Sequence, residues 1–132
     1  MAEAASGVGP FARVQWHIGA VRQNGAKMAK STGNLTLVAD LLRDTSGPAL
    51  RVLLLDRPAR ESWEFRPELL ADASARLDAL FSAAGRPGSS AAAEDAVTDR
   101  LLDDLDVSGA LDIAVTEGGD VARSLIRVLS LG

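Results

Sequence analysis

Only two of the fourteen basic residues in this chain are lysines, and both stand in one segment, Gly25-Ala26-Lys27-Met28-Ala29-Lys30-Ser31-Thr32-Gly33-Asn34. The rest are arginines, a bias that suits a GC-rich coding sequence in which lysine drifts to arginine wherever either serves. Two retained lysines therefore mark a role that arginine does not fill. Lysine is a compact charge on a flexible stem, able to follow a moving phosphate, whereas arginine is a rigid planar fork. Ser31 adds a hydroxyl and a backbone N–H beside Lys30, and Gly33 lets the backbone bend close to a ligand.

Other chemistries find little support. One histidine, His17, and no cysteine leave no nucleophile–base pair, so no catalytic residue is assigned. The lack of cysteine also excludes a thiolate zinc site, and no metal ligand is assigned. The run Asp103-Asp104-Leu105-Asp106 has the letters of a metal cluster, but a cap explains it more simply. Asp106 is placed to cap a helix starting at Val107, with Asp103 and Asp104 facing water. Arg51, inside an apolar helix, is expected to tie helices together through a salt bridge to an acid of the second half.

Lys27-Met28-Ala29-Lys30-Ser31 resembles the KMSKS signature loop of class I aminoacyl-tRNA synthetases, with Ala29 in place of the first serine. Pro10-Phe11-Ala12-Arg13, Trp16-His17-Ile18-Gly19-Ala20-Val21, Gly25 and Gly33-Asn34 are similar to the cysteinyl-tRNA synthetase branch. They are equally similar to the related ligase that joins cysteine to glucosaminyl-inositol. Ala49-Leu50-Arg51 with Leu53-Leu54-Leu55, and Leu102 to Asp106, sit where that family's helical domain has similar runs. The resemblance implies an ATP-contacting loop, with Lys30 as the principal pyrophosphate lysine, Lys27 its partner and Ser31 a further donor. A solvated basic loop that keeps ancestral letters is the alternative, and the sequence leaves both open.

The resemblance also implies parts that these residues do not supply, namely a nucleotide-binding Rossmann half with its HIGH motif and a substrate-selecting zinc site. His17-Ile18-Gly19-Ala20 imitates HIGH in letters only. A HIGH motif needs a strand before it and a helix after it, whereas here Asn24-Gly25 follows, the strongest short hairpin signal. His17 is thus expected to be a hairpin side chain behind the loop. Three functions are compatible with this reading: half of a split ligase completed by a partner, a non-catalytic interaction module derived from a synthetase, or a fragment without independent role.

The elements that must position the loop follow from periodicity. Arg13 to Arg22 alternates as a strand, Asn24-Gly25 turns it, and Ala26 to Ala29 returns as a second strand. Thr36 is placed to cap a helix over Leu37 to Asp44, with Leu37, Val38 and Leu41 inward. Ser46 or Gly47 caps the next helix, with Pro48 at its first turn, running to Asp56. Apolar almost all round, it is expected to be the most buried. Trp63 and Phe65 pin an extended connection, and helices are expected over 67–84, 92–104, 107–116 and 119–130. Their stripes are Leu70-Ala73-Leu77-Leu80-Ala84, Val97-Leu101-Leu105, Val107-Leu111-Val115 and Val121-Leu125-Val128-Leu129. The expected fold is mainly α, a helical bundle over 10–132 with an N-terminal hairpin and loop at 10–35, preceded by a floppy arm at 1–9.

Composition bounds the partners. Hydrophobic content of 47% with no apolar run long enough to span a bilayer predicts a soluble protein, and the absence of cysteine fits a reducing cytoplasm. Residues 1–66 hold nine bases against six acids, and residues 67–132 five against twelve. With three Phe, two Trp and no Tyr, autonomous tRNA binding is not expected. Phe11, Val14, Trp16, Ile18 and Val21 crowd the hairpin with more apolar surface than one small strand can bury. They form the expected face for a protein partner or a homodimer.

Overall fold

The computed structural model describes residues 12–132. Their order is β1 (Val21–Gln23), β2 (Ala26–Lys27), a 3-10 turn (Lys30–Thr32), α1 (Val38–Leu41), α2 (Gly47–Leu55), β3 (Trp63–Glu64), α3 (Glu68–Ala84), α4 (Ala91–Leu102), α5 (Val107–Glu117) and α6 (Gly119–Val128). The fold is mainly α, with a small sheet of order β2-β1-β3 at one edge.

Local signals place most of the helices. Ser46 caps α2, its hydroxyl accepting from the Ala49 N–H at 3.2 Å, with Pro48 in the first turn. Asp106 caps α5 by accepting from the Gly109 N–H at 2.9 Å, as its position before Val107 requires. Ser90 does the same for α4 through Ala93. Helix α3 packs against α2, α5 and α6, so it and α5 form the centre of the bundle. Leu80, Leu111, Leu125, Leu131, Val52 and Val121 are its largest fully buried side chains.

Several expectations give way to tertiary context. Helix α2 buries Ala49, Leu50, Val52 and Leu53 but leaves Leu54 exposed, because one face meets α3 and the other borders an open groove. Leu105 and Val128 also lie exposed rather than on their buried stripes. The first helix shrinks to α1, whose N-cap position is Leu37. Thr36 does not cap it, since its hydroxyl donates to the Gln23 side chain at 2.9 Å. Leu37 and Val38 point outward, leaving Leu41 packed against the core.

The long strand over Arg13 to Arg22 is likewise reduced to Val21–Gln23, and its partner to Ala26–Lys27. Asn24 (φ +54°) and Gly25 (φ +77°) form the expected turn between them. The connection carrying Trp63 is itself a strand, β3, parallel to β1 in the register Val21 to Trp63 and Arg22 to Glu64. Trp63 meets Phe65 edge-on at 6.4 Å, and the Arg57 guanidinium lies 3.7 Å over its ring. Arg57 also donates to the Leu53 carbonyl at 2.7 Å, so the end of α2 and the sheet share one guanidinium.

Candidate functional site: the lysine loop and its supports

The hairpin delivers the chain into the lysine loop. Lys27 ends β2 opposite Arg22, and the Met28 N–H still bonds the Val21 carbonyl at 2.9 Å. Lys30 and Ser31 open the 3-10 turn, which closes on Gly33 in the left-handed region (φ +68°). A Cβ at Gly33 would meet nothing within 4 Å, so backbone conformation rather than space requires the glycine. Lys27 at the end of β2 and Lys30 and Ser31 in the turn are all exposed. Among the described residues no hydrogen bond or ion pair engages either lysine ammonium. Both charges are therefore open to an anion.

Asn34 organises the loop from behind. Its Oδ1 accepts from the Ala29 N–H at 2.9 Å, and its Nδ2 donates to the Lys27 carbonyl at 3.2 Å and the Gln23 carbonyl at 3.5 Å. The Thr32 hydroxyl lies between Asn34 Oδ1 and the Ala29 carbonyl, 2.8 Å from the latter. Donor and acceptor ends of the amide are fixed by these partners, since reversing it would set N–H against N–H and oxygen against two carbonyls.

A second support runs from the strap that precedes the sheet. The Trp16 indole N–H donates to Asp104 at 3.0 Å, and Arg60 holds the same carboxylate through two nitrogens, with Nε 2.6 Å from Oδ2. The hydrogen bonds from Arg60 and then from Trp16 lower the Asp104 pKa to about 2. Asp104 thus does not merely face water, and both it (φ +53°) and Leu105 (φ +58°) adopt left-handed backbone that non-glycine residues disfavour. Asp106, besides capping α5, pairs with Arg100 at 3.0 Å. The acidic run is spent on a cap and a clasp.

His17 is exposed, and a hairpin rather than a helix follows it, so the HIGH-like letters lack the context of that motif. Gly19 has a different purpose. Its N–H bonds the Ala59 carbonyl at 2.8 Å, and a Cβ there would lie 1.8 Å from the Glu61 carbonyl oxygen. Arg51 ties helices together but not through an acid. It donates to the Ser130 carbonyl at 3.0 Å and the Leu129 carbonyl at 3.4 Å, beyond the end of α6.

Of the apolar residues expected to face a partner, Phe11 lies outside the described residues. Val14 (82% exposed) and Ile18 (70%) are open, Trp16 is 40% exposed, and Val21 packs against the core. Trp16, Ile18 and Val21 line, with Leu54, Trp63 and Leu105, an apolar groove of about 330 Å³. The loop and its amide staple thus present two free ammonium groups, while the strap borders the apolar groove.

A family model described as the class I (C) tRNA synthetase catalytic domain matches residues 1–75, a span that takes in the strap, hairpin, lysine loop and α2. The chain belongs to this family. Among curated proteins it is similar to the L-cysteine:1D-myo-inositol 2-amino-2-deoxy-alpha-D-glucopyranoside ligase of Thermobispora bispora, at 41% identity over 93% of this chain and 32% of the relative. The ligase of the same name from Acidothermus cellulolyticus is 45% identical over 90% of this chain and 31% of that protein. That of Frankia casuarinae is 44% identical over 83% and 24%. The chain thus spans less than a third of the length of these relatives. No helix among the described residues is long and apolar enough to cross a membrane.

Sequence reasoning singled out the lysines and located the turn glycine and the Asp106 cap, but not the Asn34 staple or the Asp104 clasp. A short amide directly after a left-handed glycine was a signal for the first. The second joins residues 88 positions apart, which no local pattern records.

Proposed function

We propose that this chain supplies the pyrophosphate-contacting loop and helical domain of an ATP-dependent, cysteine-type amino-acid ligase. Activation then requires a nucleotide-binding half that these residues do not contain. The observation that carries this reading is the pair of unpartnered lysines in an internally stapled loop. In amino-acid activation a carboxylate attacks the α-phosphate of ATP, and negative charge grows on the departing pyrophosphate. Ammonium groups already aimed at that position lower the barrier electrostatically and do no covalent work. Lys30 is assigned the main contact, Lys27 the second, and Ser31 a hydroxyl donor. The relatives' names make cysteine the amino acid and an amino sugar the acceptor for those proteins, and we carry both over as the reading for the completed enzyme. Without cysteine, these residues leave any thiol-selecting zinc site to the nucleotide-binding half.

Nothing in the chain is assigned to hold adenine or ribose, and positioning supplies much of catalysis. The isolated protein is therefore expected to give no ATP–pyrophosphate exchange with cysteine. Adding the nucleotide-binding portion of the Thermobispora bispora ligase in trans is expected to restore exchange, and Lys30→Ala to lower it about a hundredfold. Exchange by the chain alone would refute the need for a second half, and undiminished exchange with Lys30→Ala would refute the role of the loop. A second reading, a non-catalytic interaction module, draws on the open strap at Val14 and Ile18. It predicts tight binding to the added half without exchange.

A further inference from the structure

The geometry points to Asn34 as a positioning residue that latches the lysine loop in its anion-ready shape, an inference that rests on the phosphate-contacting reading of Lys27 and Lys30. Three features of the loop demand such a latch. The segment from Met28 to Asn34 is exposed or half-buried throughout, and although Met28 packs against the core, none of the turn residues Lys30 to Gly33 is buried. Its own ladder is thin: β2 has two residues, and the 3-10 turn contributes only the Thr32 N–H to Ala29 and Gly33 N–H to Lys30 bonds, both 3.2 Å. Among the described residues, the lysine side chains add no hydrogen bond or ion pair of their own.

Against that, one side chain reaches backbone groups on both sides of Met28 at once. Asn34 accepts from the Ala29 N–H and donates to the carbonyls of Lys27 and Gln23, with the Thr32 hydroxyl as a fourth neighbour. The bonds to Lys27 and Ala29 bracket the crossing from strand into turn, and the bond to Gln23 ties that crossing to the central strand β1. An amide carries its acceptor oxygen and its two N–H donors on separate atoms, which a hydroxyl does not, so it can accept on one side while donating to two carbonyls on the other. Aspartate would keep the acceptor contacts and face two carbonyls with a carboxylate, while glutamine is a methylene too long to meet all four groups. By pairing backbone with a neutral amide, the latch leaves both ammonium groups unengaged.

A loop that is ready only part of the time binds its anion more weakly by the fraction of time it is ready. Losing bonds to backbone groups at a half-exposed site is expected to weaken inorganic pyrophosphate binding about tenfold. The test compares the full chain with Asn34→Ala, Asn34→Gln, Thr36→Val and Lys30→Ala by calorimetric titration with pyrophosphate, alongside amide exchange at Ala29. Thr36→Val removes the neighbouring bond to the Gln23 side chain and leaves the latch intact, so it controls for general disturbance of the loop. Expected are a tenfold loss and faster Ala29 exchange in Asn34→Ala, no recovery in Asn34→Gln, and wild-type behaviour in Thr36→Val. Unchanged affinity in Asn34→Ala, with Lys30→Ala weakened, would overturn the latch and keep the phosphate reading. If wild type itself binds no pyrophosphate, the phosphate reading falls and this assignment with it. Unchanged Ala29 exchange in Asn34→Ala would refute even the structural latch.

Discussion

Gly19 and Gly33 flank the same loop, yet substitution is expected to harm them for opposite reasons. At Gly19 an added Cβ would collide with the Glu61 carbonyl and the Ser62 nitrogen, at 1.8 and 2.5 Å, and both are backbone atoms that cannot swing aside. Gly19→Ala is therefore expected to cost about 3 kcal/mol in urea unfolding, at the upper end of the overpacking range, because the strap must lift off the segment it crosses. At Gly33 there is room but φ is +68°, so Gly33→Ala is expected to cost only about 1–2 kcal/mol. That loss is felt locally, as faster exchange of the Ala29 amide with little change in the global midpoint. Equal effects on the midpoint would show that the loop and bundle unfold as one. The sequence made Gly33 legible, since a glycine after a short polar turn advertises positive φ. Gly19 was legible only as a letter in a false HIGH. Its reason lies in residues 59–62, which approach it only once the chain has folded.

The helical elements were read largely from local chemistry, because caps, proline and periodicity act within a few residues of one another. Asp106→Ala is expected to cost about 1–2 kcal/mol, from the cap to Gly109 and the exposed pair with Arg100. The β-elements were misjudged for the complementary reason. Alternation over Arg13 to Arg22 reports a chain that runs extended, but a ladder needs a partner, and β3 reaches only Val21 and Arg22. Backbone bonds hold the strap at Gly19 and Ala20, and the Asp104 clasp holds it at Trp16; the protonation of that clasp gives an element-scale test. The Asp104 pKa is depressed, so the clasp is intact above the ordinary value of 3.8 and is lost as pH falls through about 2. In a Trp63→Phe background, Trp16 fluorescence is expected to shift red across that window while far-UV circular dichroism still reports helix. Asp104→Ala is expected to show the shifted spectrum already at neutral pH. A Trp16 signal indifferent to both changes would mean that the strap is held elsewhere.

At the scale of the whole molecule, the excess of acids in residues 67–132 and the free lysines near the N-terminal edge give the chain two unlike ends. Ile18, Leu54 and Leu105 are all at least 46% exposed around the groove beside Trp16, more contiguous apolar surface than scattered exposure explains. Relatives more than three times as long have further chain with which to cover such a face. For these 132 residues on their own, the default is a second copy, most simply as a symmetric dimer. Sedimentation is therefore expected to show concentration-dependent dimerisation, and Ile18→Asp to abolish it without loss of helix, because a carboxylate at the groove cannot be buried unpaired. Ile18 is chosen over Trp16 because the indole is committed to Asp104, and its loss would disturb the clasp as well as the face. The same substitution is expected to block binding of the added nucleotide-binding half, which ties the two associations to one surface. A chain that stays monomeric at high concentration and binds that half equally well with Ile18→Asp would place the interface elsewhere. The exposed Leu35, Leu37, Val38 and Leu42 just beyond the lysine loop would then be the next surface to substitute.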